Sequence, residues 1–169
     1  MNEVILTPKK QPLAGLEGEA ITPDTFVGKS LDGIRNLEVL EGNRKSKLGD
    51  FFTVKGKTSE NLEEQKITID GDVAKTKNIG RDMTGGVVEV KGSAGMYVGR
   101  SMKGGRVVVT GDAGAFCGQE MRGGELIIKG NCGDYLGCAY RGDWRGMRGG
   151  SILVGGNAGN EIGEYMMGG

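Results

Sequence analysis

The chain has 169 residues, enough for one domain with a buried core. Its 22 Lys and Arg balance 22 Asp and Glu, so charge gives no reason to expect nucleic acid or an anionic membrane surface as a partner. It has no histidine, which excludes Ser-His-Asp and Cys-His catalysis on this chain alone, and it has neither a membrane-length apolar run nor a signal peptide, so a cytoplasmic protein is expected.

Residues 1–47 do not repeat. Glu3 to Thr7 reads as a strand. Thr22 followed by Pro23 reads as a helix N-cap with proline at the first helical position, and Phe26, Leu31, Ile34 and Leu37 follow as a loose apolar helical face. A stack of repeats needs its end covered, so 1–47 is expected to be an N-terminal capping segment on a repeat domain at 48–169.

Of the 34 glycines, 27 lie from residue 66 onward, and they mark a repeat. The stretches 87–105, 106–124 and 151–169 each have 19 residues; 125–150 carries seven extra and 66–86 two extra. FFTVKG at 51–56 looks like one further opening strand, giving units near 51–65, 66–86, 87–105, 106–124, 125–150 and 151–169. Each unit opens with a β-branched run (VVEV, RVVV, ELII, SILV), the signature of a strand. A second small strand is expected around Tyr97-Val98, Phe116-Cys117, Tyr135-Leu136 and Glu161-Ile162. Units this small cannot fold alone, so the expected fold is mainly β: a right-handed parallel β-helix, one coil per unit, with a short mixed N-terminal cap.

The glycines fall in register. Gly95, Gly114, Gly133 and Gly159 make one column; Gly99, Gly118, Gly137 and Gly163 make another; Gly104-Gly105, Gly123-Gly124 and Gly149-Gly150 are recurring pairs. They read as structural corners, where the backbone turns or approaches its neighbour closely. Helical repeats are ruled out, because glycine costs about 1 kcal/mol at each interior helical position.

Strand alternation sorts the other columns. Phe52, Ile67, Val88, Val107, Leu126 and Ile152 should point inward, as should Val54, Ile69, Val90, Val109, Ile128 and Val154. Met83, Met102, Met121, Met147 and Met166 should fill a core column. The column Thr53, Thr68, Glu89, Val108, Ile127, Leu153 should face out, and its last three members form an apolar stripe suited to a protein partner or to cover by the N-terminal segment.

The seven extra residues fall within 138–148, which holds the only tryptophan. Tyr140, Arg141, Trp144, Arg145 and Arg148 are the residue types enriched at binding hot spots. With Val108, Ile127 and Leu153 they make the candidate partner interface; an ordinary surface loop and an arginine cluster for an anion stand beside that reading. Cys117, Cys132 and Cys138 have no CxxC spacing and an odd count, so neither a metal site nor a disulfide framework is expected. The pattern breaks off at Gly168-Gly169, where each earlier unit begins its next strand, so a further chain or further residues are expected there.

The repeat GxAGxxxGxxMxGG resembles the GXGXG domain at the C-terminal end of the glutamate synthase large subunit, and also the C subunit of formylmethanofuran dehydrogenase. VILTPK (4–9), ITPDTFVGKSLDGIRNLEVLEGN (21–43) and KLGDFFTVKG (47–56) resemble the opening of the second family and separate the two. That resemblance implies a non-catalytic structural subunit of the enzyme that reduces carbon dioxide to a formyl group on methanofuran in methanogenesis. It implies no catalytic, cofactor or metal residues on this chain. A molybdenum or tungsten pterin, iron–sulfur clusters and zinc would lie on other subunits, and the partners would be the pterin-containing B and D subunits and the amidohydrolase-like A subunit. The alternatives are the GXGXG subunit of a split glutamate synthase, a subunit of the formyltransferase/hydrolase complex of methylotrophic bacteria and, remotely, a free-standing β-helical carbohydrate enzyme. The last lacks the stack of carboxylates such chemistry uses, since Ser93, Asn131 and Asn157 share the column of Asp112.

Overall fold

From residue 65 onward each β-branched run is a strand in the computed structural model, which describes residues 2–169. These strands are β6 (Gln65–Ile69), β8 (Val87–Val90), β9 (Arg106–Val109), β10 (Arg122–Ile128) and β11 (Gly149–Val154). They pair in parallel, with Ile67, Val88, Val107, Leu126 and Ile152 side by side. Burial follows the alternation: Ile67, Ile69, Val88, Val90, Val107, Val109, Leu126 and Ile128 are all fully buried. Ile152 and Val154, on the last strand, are half-buried. Met83, Met102, Met121 and Met147 fill the core as expected, while Met166 beyond the last strand is 47% exposed.

The N-terminal segment enters this sheet. β1 (Asn2–Pro8) lies between β6, to which it is parallel, and β5 (Phe52–Gly56), to which it is antiparallel. The seven-stranded sheet therefore runs β11-β10-β9-β8-β6-β1-β5. FFTVKG does not stack on the next repeat, and Thr53 faces Thr7 rather than Thr68. Ile5 sits beside Thr68 instead, and Thr68 is buried, not solvent-facing as its column implied. A second sheet has the order β4-β3-β2-β7, from β2 (Leu16–Glu17), β3 (Glu38–Glu41), β4 (Arg44–Lys47) and β7 (Thr76–Lys77).

Three short helices pack beside the sheets: α1 (Pro23–Phe26), α2 (Leu31–Arg35) and α3 (Leu48–Phe51). Thr22 caps α1 as the Thr-Pro signal implied, its Oγ1 accepting from the Thr25 N–H at 3.2 Å. Ser30 caps α2 in the same way, accepting from the Gly33 N–H at 3.0 Å. Phe26, Ile34, Leu48 and Phe51 carry the helices into the core.

The expected right-handed parallel β-helix is corrected. The fold is mixed, with helices and two mixed sheets rather than one closed coil per repeat. Each repeat gives one strand to the large sheet, and the repeat at 66–86 also gives β7 to the small one. The second small strand around Tyr97, Phe116, Tyr135 and Glu161 does not form: these residues are turns with φ of 63°, 61°, 62° and 55°. The remaining parallel contacts between repeats are single bridges, Val73–Ala94–Ala113–Cys132–Ala158 and Arg148–Gly168. Periodicity in the sequence reports stacking of repeats but not how many faces of each repeat form a ladder.

Successive repeats nevertheless bond at their turns. The N–H groups of Tyr97, Phe116 and Tyr135 donate to the carbonyls of Ala115, Asp134 and Asn160 at 2.9, 2.8 and 2.8 Å. Side chains add a second ladder: the Asp112 N–H donates to Ser93 Oγ at 3.1 Å, the Asn131 N–H to Asp112 Oδ1 at 2.7 Å, and the Asn157 N–H to Asn131 Oδ1 at 2.8 Å. The glycine columns divide by cause. Gly99, Gly118, Gly137 and Gly163 have left-handed φ of 64–68°, as do the second members of the pairs, Gly105, Gly124 and Gly150, at 74–84°. Gly95, Gly114, Gly133 and Gly159, with Gly104, Gly123 and Gly149, have no such φ; there a Cβ would run into the preceding repeat.

Candidate functional site

The seven extra residues are Tyr140–Gly146. The Glu120 N–H donates to Cys138 O at 3.0 Å and the Arg148 N–H to Met121 O at 2.8 Å, so the chain is back in register on both sides of them. The segment between is held at its ends by Ala139 N–H to Glu164 O (3.1 Å) and Gly146 N–H to Tyr165 O (2.8 Å).

This insertion walls a cavity of about 730 Å³. Tyr140, Arg141, Asp143 and Trp144 form one side; Glu164 and Tyr165 form another; Tyr97, Phe116, Tyr135 and Gln119 line the rest. The three aromatic residues stack one per repeat, with ring centroids 5.0 and 4.9 Å apart and planes within 13° and 3° of parallel. The Arg100 guanidinium lies 5.6 Å from the Tyr97 ring and 5.2 Å from the Tyr140 ring. Gln119 is 2% exposed; its Nε2 donates to Ala139 O at 3.2 Å, and its Oε1 has no partner.

The expected interface residues divide among different settings. Tyr140 and Trp144 are 53% and 65% exposed, and with Arg141 they face the cavity. Arg145 is turned back on the loop: its Nε donates to Asp143 Oδ1 at 3.1 Å, and its guanidinium lies 5.6 Å from the Trp144 ring. That pairing draws the Asp143 carboxyl below its usual range. Arg148 is half-buried and bridges to Gly168 beside the last strand, outside the cavity wall.

Val108, Ile127 and Leu153 lie side by side on the other face of the large sheet and take no part in the cavity. The first two are half-buried and Leu153 is 62% exposed. Next to them the same face is charged. Lys66 Nζ sits 2.9 Å from Glu89 Oε2 and 3.3 Å from Glu3 Oε1, and Thr68 donates to Glu3 at 2.5 Å. The Thr68 bond, helped by Lys66, lowers the Glu3 carboxyl, and the Glu89 bond raises the Lys66 amine.

The aromatic stack was visible in the sequence as an aromatic residue at one offset in three successive repeats, but that pattern reads equally as a strand. Gln119 gave no such signal: it shares its repeat offset with Arg100 and Cys138, three unlike residues, and only the structure shows that it is buried beside the cavity.

The cysteines do not fit a metal cluster. Cys117 and Cys132 both donate to Gly114 O, at 3.2 and 3.5 Å, and all three thiols are buried. The Cys132 thiol beside it and burial push Cys117 well above the usual thiol range, so its metal-binding thiolate is disfavoured. Among the described residues no group of three His, Cys, Asp or Glu could hold a metal ion, and no helix is long and apolar enough to cross a membrane.

No family model matches the chain. It is 59% identical over 98 residues to the C subunit of a tungsten-containing formylmethanofuran dehydrogenase 2 of Methanothermobacter thermautotrophicus, covering 58% of this chain and 36% of that one. It is 57% identical over 146 residues to the protein of the same name from Methanococcus maripaludis, covering 86% of this chain and 53% of that one. The C subunit of a molybdenum-containing formylmethanofuran dehydrogenase 1 of Methanosarcina barkeri is 50% identical over 98 residues, covering 58% and 33%. The chain thus spans about a third to a half of the length of these curated relatives. Among solved structures, a chain of the formyltransferase/hydrolase complex from Methylorubrum extorquens, in complex with methylofuran, matches with a TM-score of 0.87 and 27% identity, over 96% of this chain and 59% of that one. These relatives bear out the resemblance carried by the opening and the repeats.

Proposed function

We propose that this chain, a relative of the formylmethanofuran dehydrogenase C subunit, is the non-catalytic structural subunit of such a dehydrogenase, scaffolding the complex that reduces carbon dioxide to formylmethanofuran. The carrying observation is the 57% identity over 86% of the chain to a protein named as that subunit. The surface supports it. Tyr140, Trp144 and Tyr165 are exposed around one cavity, and large aromatics of this kind are found at protein contacts. The redox and hydrolytic chemistry would then sit on the pterin-containing and amidohydrolase-like subunits, with their molybdenum or tungsten, iron–sulfur clusters and zinc. Two surfaces are available to them: the Val108–Ile127–Leu153 stripe and the wall of the Tyr140–Gly146 insertion. The complex would act in the cytoplasm.

A role in a formyltransferase/hydrolase complex is the second reading. It rests on the solved neighbour, and its 27% identity weighs less than 57–59%. Affinity capture of the tagged chain from native extract, with mass spectrometry of its companions, tests both. A pterin-containing companion supports the dehydrogenase. Formyltransferase and hydrolase companions without a pterin protein select the second reading. A ferredoxin- or NADPH-linked amidotransferase companion overturns both.

A further inference from the structure

We propose that Cys117 and Cys132 form a redox-modification site, at which peroxide joins the two sulfurs in a disulfide that fastens one repeat to the next. Its chemistry needs neither the cavity nor a partner subunit.

The stacking of repeats makes the pair. The Ala113–Cys132 bridge and the Gly137 N–H to Cys117 O bond, at 2.9 Å, hold the units at 106–124 and 125–150 in register. That register brings Cys117 from one unit and Cys132 from the next to the same carbonyl, Gly114 O, at 3.2 and 3.5 Å. The two thiols also hydrogen-bond each other. In the other glycine-rich units the offset of Cys132 holds Ala94, Ala113 or Ala158, and the offset of Cys117 holds Val98, Leu136 or Ile162. Sulfur meets sulfur at this one junction.

The two thiols differ in a way that orders the steps. Cys117 is 0% exposed, and its bond to Cys132, with burial, raises its pKa. Cys132 is 6% exposed and follows the exposed Asn131. The Cys117 hydrogen bond lowers the Cys132 thiol, and the thiolate is the nucleophile, so Cys132 reacts first. Its sulfur attacks one peroxide oxygen and the O–O bond breaks, leaving a sulfenic acid at Cys132 and releasing water. The Cys117 sulfur then attacks the Cys132 sulfur. The S–O bond breaks, and the hydroxyl leaves as a second water with the Cys117 proton. Each sulfur is oxidised by one electron, and the peroxide is reduced to water. Cys138 is the contrast: it is 1% exposed, and its sulfur faces Gln119 Nε2 at 3.7 Å rather than a second thiol.

The test treats the folded full chain with hydrogen peroxide, then alkylates the remaining thiols in denaturant and maps tryptic peptides by mass spectrometry. The expected product joins peptide 107–122 to peptide 130–141, with Cys138 alkylated. Dithiothreitol separates the two peptides, and the oxidised chain melts above the reduced one. Two substitutions restore the residue types of other repeats. Cys117→Val should leave a sulfenic acid at Cys132, trapped by dimedone, and Cys132→Ala should slow oxidation of Cys117 about tenfold or more. Cys138→Ala should bridge at the parental rate. Circular dichroism before and after treatment checks that each chain is folded. Three results overturn the proposal: all three thiols still alkylated after peroxide, a bridge that includes Cys138, or a bridge that forms only once denaturant is present.

Discussion

Three glycine-to-alanine changes separate the two reasons this chain repeats its glycines. Gly142 has φ of +86°, and a Cβ there would meet nothing within 4 Å. Only handedness opposes alanine: about 1–2 kcal/mol, less about 0.4–1 kcal/mol returned by the stiffer unfolded chain. Gly114 is the opposite case, with no positive φ and a Cβ that would lie 2.9 Å from Gly95 C and from Met96 N. Because backbone cannot step aside as a side chain can, overpacking of about 1–3 kcal/mol applies. Gly105 combines both, with φ of +74° and Gly86 O at 2.7 Å from the added Cβ, so with the same return its cost is about 1–4.5 kcal/mol. At roughly 2–4 °C per kcal/mol for a chain of this size, Gly105→Ala lowers the thermal midpoint by about 2–18 °C and Gly142→Ala by about 0–6 °C, with Gly105→Ala the lower of the two. Thermal melts followed by circular dichroism read the order. A Gly142→Ala midpoint as low as that of Gly105→Ala would falsify the division, and so would Gly114→Ala melting with the parent.

Leu126→Ala, at a fully buried site between Val107 and Ile152, should cost about 2–5 kcal/mol, and Ile152→Ala, half-buried on the last strand, clearly less; equal losses in urea unfolding would mean the core does not thin toward β11. Ile127→Asp should leave the circular dichroism spectrum unchanged and weaken capture of partner subunits, and undiminished capture counts against that face. Glu3 has a lowered carboxyl pKa, so the stability it contributes is present above the ordinary carboxylate value and lost as pH falls through and below it. Glu3→Gln should therefore flatten the decline of the urea midpoint between about pH 5 and pH 3, and a parental slope in the variant refutes that role.

Stacking was legible because it depends on residues that recur. Inward aliphatics at Val88, Val107 and Leu126, the methionine column and the glycine pairs are all fixed by a neighbour one repeat away, so the repeat interval exposes them. The placement of β1 was not legible. Nothing local tells residues 2–8 to lie between β5 and β6, and that one insertion removes Thr53 from its expected row and buries Thr68. The turn at Tyr97, Phe116 and Tyr135 was misread for a related reason: aromatic residues favour strands, but this offset is left-handed whatever its side chain, with Asn78 and Glu161 at φ of 59° and 55°, and the N–H groups of Asn78, Tyr97, Phe116 and Tyr135 are tied to the next repeat. The insertion was recognised as rich in contact residues. Its division into exposed Trp144, self-paired Arg145 and half-buried Arg148 depends on where the chain rejoins register at Met147.

The side-chain ladder from Ser93 through Asp112 and Asn131 to Asn157 bears on how such a chain changes over evolutionary time. Each of its oxygens serves the backbone of the following repeat, so one whole repeat can be duplicated or deleted and the oxygen still finds an equivalent N–H. Length should therefore change in whole repeats. Additions within a repeat face a different constraint: both ends must return to bonds already fixed by the neighbours, as Ala139 and Gly146 do, so the added residues loop outward. The same bonds that keep the core uniform thus leave Tyr140–Gly146 as a place where sequence can diversify with little cost to the fold, and where relatives can acquire different attachments on a shared frame.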